Sequence, residues 1–327
     1  MNLTRRPLLC AAIAACCTQF TATALAAGYP DQPIKVVVPF SPGGNADLVG
    51  RVLGARMGQT LGQTLIIDNR AGAGGGIGAE AVAKSSPDGY TLLIGTNGPL
   101  TVNPVLQPKL RYDVFKDLAP VALAGLVPHA LVVTNALPAK TLPEFLALAR
   151  QKPVSVATAG IGSATHLTLE RLNAQAGLKL QHIPYRGGNT SVGDLIGGTL
   201  DAVMMELSAA LPLHQSGKAR LLAVGSMQRS RMAPDVHTFH EDGVKDFVAS
   251  SYVGLLAPAK TPPDVIAQLQ KAAAEALSHA SVLDKLTPLG FEAATPAQQT
   301  PAGFSSFLKT EYDRASQIVK SAAIKLE

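Results

Sequence analysis

The chain has 327 residues, 47% of them hydrophobic and 16% charged, with three Cys, no Trp and a formal net charge of +5. That composition excludes intrinsic disorder, and the length suits two domains. No apolar run reaches the ~18–20 residues that span a bilayer. The mild, dispersed positive charge lacks the basic and aromatic clusters of a nucleic-acid binder.

Residues 1–26 read as a secretory signal peptide. Arg5 and Arg6 form a positive start, Leu8 to Cys17 is an apolar run of ten, and Ala24-Leu25-Ala26 is a small-residue cleavage site. Thr4-Arg5-Arg6-Pro7-Leu8-Leu9 faintly resembles a twin-arginine signal, and Ile13-Ala14-Ala15-Cys16 resembles a lipobox that would anchor the chain at Cys16. Each variant sends the chain to the periplasm. Cys10, Cys16 and Cys17 all precede Ala26, so cleavage there leaves no disulfide, thiol nucleophile or cysteine metal site.

The β-branched run Ile34–Phe40 predicts a buried strand, broken by Ser41–Asn45. Ala46–Leu61 has helical spacing, with Asp47 in the first turn where a carboxylate suits the helix dipole. Strands over 64–67 and 90–94 follow, separated by a Gly-rich loop (71–78), a helix over 79–84 and a turn at 87–89. The pattern restarts with a strand at 130–134. A helix over 142–151 enters through the capping box Thr141-Leu-Pro-Glu144. Strands at 154–157, 180–183, 202–205 and 221–224 alternate with helices at 163–176 and 190–196. A strand at 253–257 precedes two closing helices, 263–278 and 304–321. Alternation at this spacing means βαβ units around mostly parallel sheet. The division is discontinuous: 27–126 with 251–327 form one α/β lobe, 127–250 the other, and chain crossings near 127 and 250 make a hinge.

Three strand–loop–helix junctions carry glycine: Pro42-Gly43-Gly44, Gly160-Ile161-Gly162-Ser163 and Tyr185–Thr190. Glycine lets backbone approach a ligand closely, and helix first turns offer unpaired N–H donors. Junctions from two lobes facing one crevice would bind an anion without a cationic clamp. Gly74–Ala79 formally fits G-x-G-x-x-A but is separated from its strand, so it reads as a close backbone turn. Hydrolase elbows, Walker loops and zinc-protease motifs are missing, and His237–Asp242 reads as solvated loop. His166 could face the cleft or pack against its loop. No metal or cofactor is expected, and binding is a stronger class than catalysis.

The chain resembles the Bug-type extracytoplasmic solute receptors of tripartite tricarboxylate transporters. The resemblance rests on Tyr29–Ile34, Val38–Gly44 with Asp47 and Arg51, Asn69–Gly74 with Gly78, and Pro87–Leu92. It continues in Gly160–Ser163 with His166, His182–Gly187 and Gly254–Pro258. It implies an α/β, type II periplasmic-binding-protein fold that closes on a small carboxylate for a membrane transporter. It implies a monomer with no nucleic-acid partner. The ligand positions it implies are Phe40, Gly43, Gly44, Asp47, Thr96 and Asn97 in the first lobe, and Gly160, Gly162, Ser163, His166, Tyr185 and Gly187 in the second. Ser41 stands where the family often has Pro. Tyr252 stands near a common Trp, which would alter the hinge-side wall. Glu206 stands where Asp is frequent; it could meet a ligand ammonium, repel a second acid group, or be a solvated strand end. Two alternatives remain: a ligand sensor for a signalling partner, and a periplasmic hydrolase or isomerase using Ser163 and His166.

Overall fold

A computed structural model describes residues 28–107 and 109–321. The leader expected over 1–26, with its three cysteines, lies outside the described residues.

Strand β1 (Ile34–Val38) sits between β2 (Leu65–Asn69) and β3 (Thr91–Thr96), parallel to both. Being flanked on both edges and covered on both faces, it tolerates apolar side chains throughout, and only Lys35 is exposed. Strand alternation splits its side chains. Val36 and Val38 join one apolar cluster with Leu53 and Met57, while Val37 joins another with Leu93 and Phe304. Each fully buried side chain of this kind contributes about 1.5–3 kcal/mol.

Helix α1 (Asn45–Leu61) packs Ala46, Val49, Leu53 and Met57 on the sheet and stops at Gly62, whose left-handed backbone (φ 70°) favours glycine. Helix α2 (Gly76–Ala83) follows a tight turn over Ala73–Gly75. Beyond β3 come a helical turn (Gly98–Val102) and the single-turn helices α3 (Asn103–Leu106) and α4 (Val114–Asp117). Strand β4 then runs over Leu118–Val133.

The second half of the sheet is built from β5 (Ser155–Thr158), β6 (Gln181–Pro184), β7 (Ala202–Glu206) and β8 (Arg220–Val224). Helices α5 (Leu142–Gln151), α6 (Ala164–Ala176), α7 (Val192–Ile196) and α8 (Leu207–Gln215) intervene. Its own core contains Phe145, Leu169, Phe239 and Phe247. Strand β9 (Ser250–Pro258) returns the chain to the first half. Helices α9 (Pro263–Ser278) and α10 (Ala280–Leu286), strand β10 (Glu292–Ala293) and helix α11 (Pro301–Ser321) complete the described chain.

The strand order is β2-β1-β3-β9-β4-β7-β5-β6, with β8 and β10 each joined to β4. Strand β4 belongs to both halves. Residues 118–128 pair antiparallel with β9, whereas 129–133 pair with β7 and β8. The sequence reading found only the last part of β4, at 130–134, and no element between 95 and 129. Pro120, Gly125 and Pro128 interrupt the strand pattern there. Register shifts fall between Pro120 and Ala122 and between Leu123 and Gly125, where a missing N–H or side chain spoils regular pairing. Helices α8 and α10 also escaped it; Pro212 inside α8 disguises the helix.

Candidate functional site

A cavity opens at the carboxyl ends of β1, β3, β5, β6 and β7, where α/β sheets present their loops. Its space, counted out to the open mouth, is about 570 Å³. Phe40 and Ser41 follow β1, Thr96 ends β3, Ala159 follows β5, Gly187–Thr190 follow β6, and Glu206 ends β7. Ser251 enters from β9. Asn45 and Ala46 bring the first turn of α1, and Ala164 and Thr165 bring that of α6. Two helix N-termini, one from each half of the sheet, therefore converge on one space, with the partial positive charge and unpaired N–H groups of helix starts. Glu206 is the only ionisable side chain among the lining residues.

The loop before α1 is held by Asp47. Its carboxylate accepts from Gly43 N (2.9 Å), Arg51 Nε (2.9 Å) and Asn69 Nδ2 (2.9 Å), and Asn69 also donates to Phe40 O (3.0 Å). Burial pushes this carboxyl up, but the Arg51, Gly43 and Asn69 hydrogen bonds outweigh it and leave it below its ordinary value. Asp47 thus shapes the loop and faces away from the cavity.

In the loop before α6, Ser163 caps the helix by accepting from His166 N (3.2 Å). The His166 imidazole accepts from Gly162 N at Nδ1 (3.2 Å), turns Nε2 toward Glu170 (3.8 Å), and stacks on His182 at 4.1 Å. Burial, then the neighbouring His182, pull its pKa down to about 4, so it is neutral at pH 7. Its ring braces the loop and does not serve Ser163 as a base. Tyr185 donates to Asp194 (2.5 Å) and lies outside the lining.

At the crossing of the halves, Asn97 is committed to β9: its Oδ1 accepts from Tyr252 N (2.8 Å) and its Nδ2 donates to Ser250 O (3.2 Å). Tyr252 does not wall the cavity. Adjacent strand residues point to opposite faces, so Ser251 faces the cavity while Tyr252 enters the core, its hydroxyl at Thr101 (3.3 Å) and its ring edge-on to Phe307. Tyr252 therefore packs behind the cavity and does not form the wall expected of it.

Of the thirteen sequence-selected positions, Phe40, Gly44, Thr96, Gly187 and Glu206 line the cavity. Gly43, Asp47, Asn97, Gly160, Gly162, Ser163, His166 and Tyr185 lie outside the lining, and Asp47, Asn97, Ser163 and His166 hydrogen-bond the loops and strand around it. Sequence reasoning passed over Asn45, Ala46, Ala164, Thr165 and Asn189, all within a few residues of a selected glycine, and Ser251, which only strand parity could reveal.

The two halves touch across the cavity mouth. Ser41 Oγ donates to Arg186 O (3.1 Å), Asn189 Nδ2 donates to Gly43 O, and Gly74 lies so near Ile161 O that an added Cβ would approach it to 2.7 Å. His237–Asp242 pair among themselves and with Arg229. Among the described residues, no His, Cys, Asp or Glu cluster suits a metal, and no helix is long and apolar enough to cross a membrane. A wider groove of about 1520 Å³ lies behind the hinge strands, lined in part by Leu126, Met227 and Phe291.

Two α/β halves joined by long shared strands, with one cavity at their strand ends, define a solute-binding receptor of the type II periplasmic class. The family described as tripartite tricarboxylate transporter family receptor matches residues 49–324, and the chain belongs to it. The chain is 38% identical over 302 residues to Protein BugT of Bordetella pertussis, covering 91% of this chain and 92% of that protein. The solved periplasmic binding protein BugD has a TM-score of 0.88 at 31% identity, covering 91% of this chain and all of that one. MatC from Rhodopseudomonas palustris, solved with bound malate, has a TM-score of 0.85 at 33% identity, covering 89% and 100%.

Proposed function

We propose that the chain is a periplasmic receptor that captures one small carboxylate and delivers it to a tripartite tricarboxylate-type transporter. The carrying observation is the convergence of the α1 and α6 N-termini, from different sheet halves, on one cavity. The two lobes, 27–126 with 251–327 and 127–250, hinge on β4 and β9, and closure surrounds the ligand with backbone donors from both. Ligand contacts made only across the closed cleft shift the population toward closure. The malate held by MatC supports a carboxylate of that size. The working protein is a monomer, exported by the segment 1–26 and cut near Ala26.

The loop roles of Ser163 and His166 favour binding without turnover. Calorimetric titration of the cleaved protein with dicarboxylates, tricarboxylates, aromatic acids and acidic amino acids tests the proposal. One of these classes binds one-to-one, and the ligand is recovered unchanged after long incubation. A folded protein that binds none of them, or converts the one it binds, contradicts it.

A further inference from the structure

Glu206 is a lone carboxylate in a cavity built for an anion, and its surroundings show how it is tolerated. Its Oε1 accepts from Ser251 Oγ at 2.9 Å. Ser251 Oγ lies 2.8 Å from His129 Nε2, and His129 Nδ1 lies 2.7 Å from Thr168 Oγ1. His129 is 1% exposed, on β4 opposite Glu206, at the first residue beyond the β9 pairing. Because Ser251 gives its proton to Glu206, it must accept Nε2–H, and Nδ1 must accept from Thr168. Every link of the chain therefore points its hydrogen toward Oε1; Glu206's own backbone N–H also donates to the carboxylate, and among the described residues no side-chain donor bonds Oε2.

Among the described residues, no cationic side chain lines the cavity around Glu206. Strand β4 brings His129, which burial pulls down to about 3 and keeps neutral. Strand β9 brings Ser251 and also Tyr252, turned toward Thr101. Helix α6 brings His166 and Glu170, which face each other, and the loop before α1 brings Asp47, paired with Arg51. The turn Gly187–Thr190 is uncharged, with exposed Arg186 before it. Helix α8 brings His214, at its far end near Asp235.

On the basis of the proposed carboxylate function, we infer that Glu206 is the specificity-determining residue for the far end of the ligand. A dicarboxylate is accepted there when Glu206 Oε2 takes up one proton from solvent and donates it as a hydrogen bond to the second carboxylate. Ser251, His129 and Thr168 are positioning residues that hold Oε1. Burial raises the Glu206 carboxyl against the lowering hydrogen bonds from Ser251 and from its own backbone N–H, which favours such uptake. The balance is simple: one proton leaves solvent, one O–H bond forms on Oε2, and the dianion enters a site without net repulsion.

The experiment has a ligand-free arm and a malate arm. Infrared difference spectra of the ligand-free protein across pH should show a protonated-carboxyl band that persists above the ordinary Glu range and is missing in E206Q. S251A should move its midpoint upward, and S251T should restore it. Absence of that band in the folded protein overturns the inference, whatever malate does. In the malate arm, calorimetry at a pH above that midpoint, in buffers of different ionisation enthalpy, should show uptake of about one proton, with affinity falling about tenfold per further pH unit. E206Q should bind malate with no proton uptake and little pH dependence. Binding by the wild-type protein without proton uptake above the midpoint overturns the inference while leaving the carboxylate receptor standing. Failure to bind malate or any other carboxylate, with the band present, sinks the receptor reading instead.

Discussion

Single side chains around the cavity divide into those that face it and those that hold its loops. Asp47 belongs to the second group, so Asp47→Asn should cost about 1–3 kcal/mol in stability, through weakened bonds to Gly43 and Arg51, and should also weaken ligand binding. Chemical denaturation and calorimetry check the two effects. His129 and His166, held by burial near 3 and near 4 against an ordinary 6.5, bind fewer protons folded than unfolded. Stability from them is intact above pH 6.5 and is lost as pH falls, at about 1.4 kcal/mol per unit for each. Glu206, held above its ordinary value, acts in the opposite sense and loses stability as pH rises through its raised pKa. The melting temperature should therefore fall between about pH 6.5 and about pH 4.5, and His166→Gln should flatten that slope; a slope unchanged by the substitution would contradict this assignment. The junction Gly160-Ile-Gly-Ser163 was readable as a helix entry, because capping is a local, sequence-near interaction, but Ser163 and His166 were expected at the ligand and instead hold the loop. The Glu206–Ser251–His129 contact was not readable, because it joins residues 45 and 122 apart through strand pairing.

At the scale of elements, α1 and α6 do the work of recognition by where they begin. The β1–α1 and β5–α6 units were legible because a β-branched run, a glycine turn and an amphipathic stretch follow within about 30 residues, the span of one βαβ unit. The run 98–129 was not, because its helical turn, its single-turn helices and the bulged β4 lack a sustained period. The Gly-rich turn at 73–75 also has a positional meaning beyond its shape. Gly74 has φ 60° and lies against Ile161 O across the mouth, where an added Cβ would approach to 2.7 Å. Gly74→Ala should thus press on Ile161 O and on Asn103 Oδ1 and strain the turn, lowering the melting temperature and weakening ligand binding at least tenfold. A variant that binds as tightly as the parent would show that this contact does not matter to closure.

The whole molecule is two half-sheets sharing β4, with β9 beside it, and the proposed closure is a rotation at this pair that moves one helix N-terminus relative to the other. The restarted strand–helix pattern pointed to two parts, but the shared strand appears only through pairing. Small-angle scattering should show a smaller radius of gyration with saturating ligand than without it; the chain has no Trp, so intrinsic indole fluorescence cannot report closure. The central claim is that helix starts from both halves hold one carboxylate. An amide-resolved NMR titration with a small acid that binds tests it most directly. The largest shifts should fall on Asn45, Ala46, Ala164 and Thr165 together. Shifts confined to one half, or centred on the groove at Leu126, Met227 and Phe291, would contradict it.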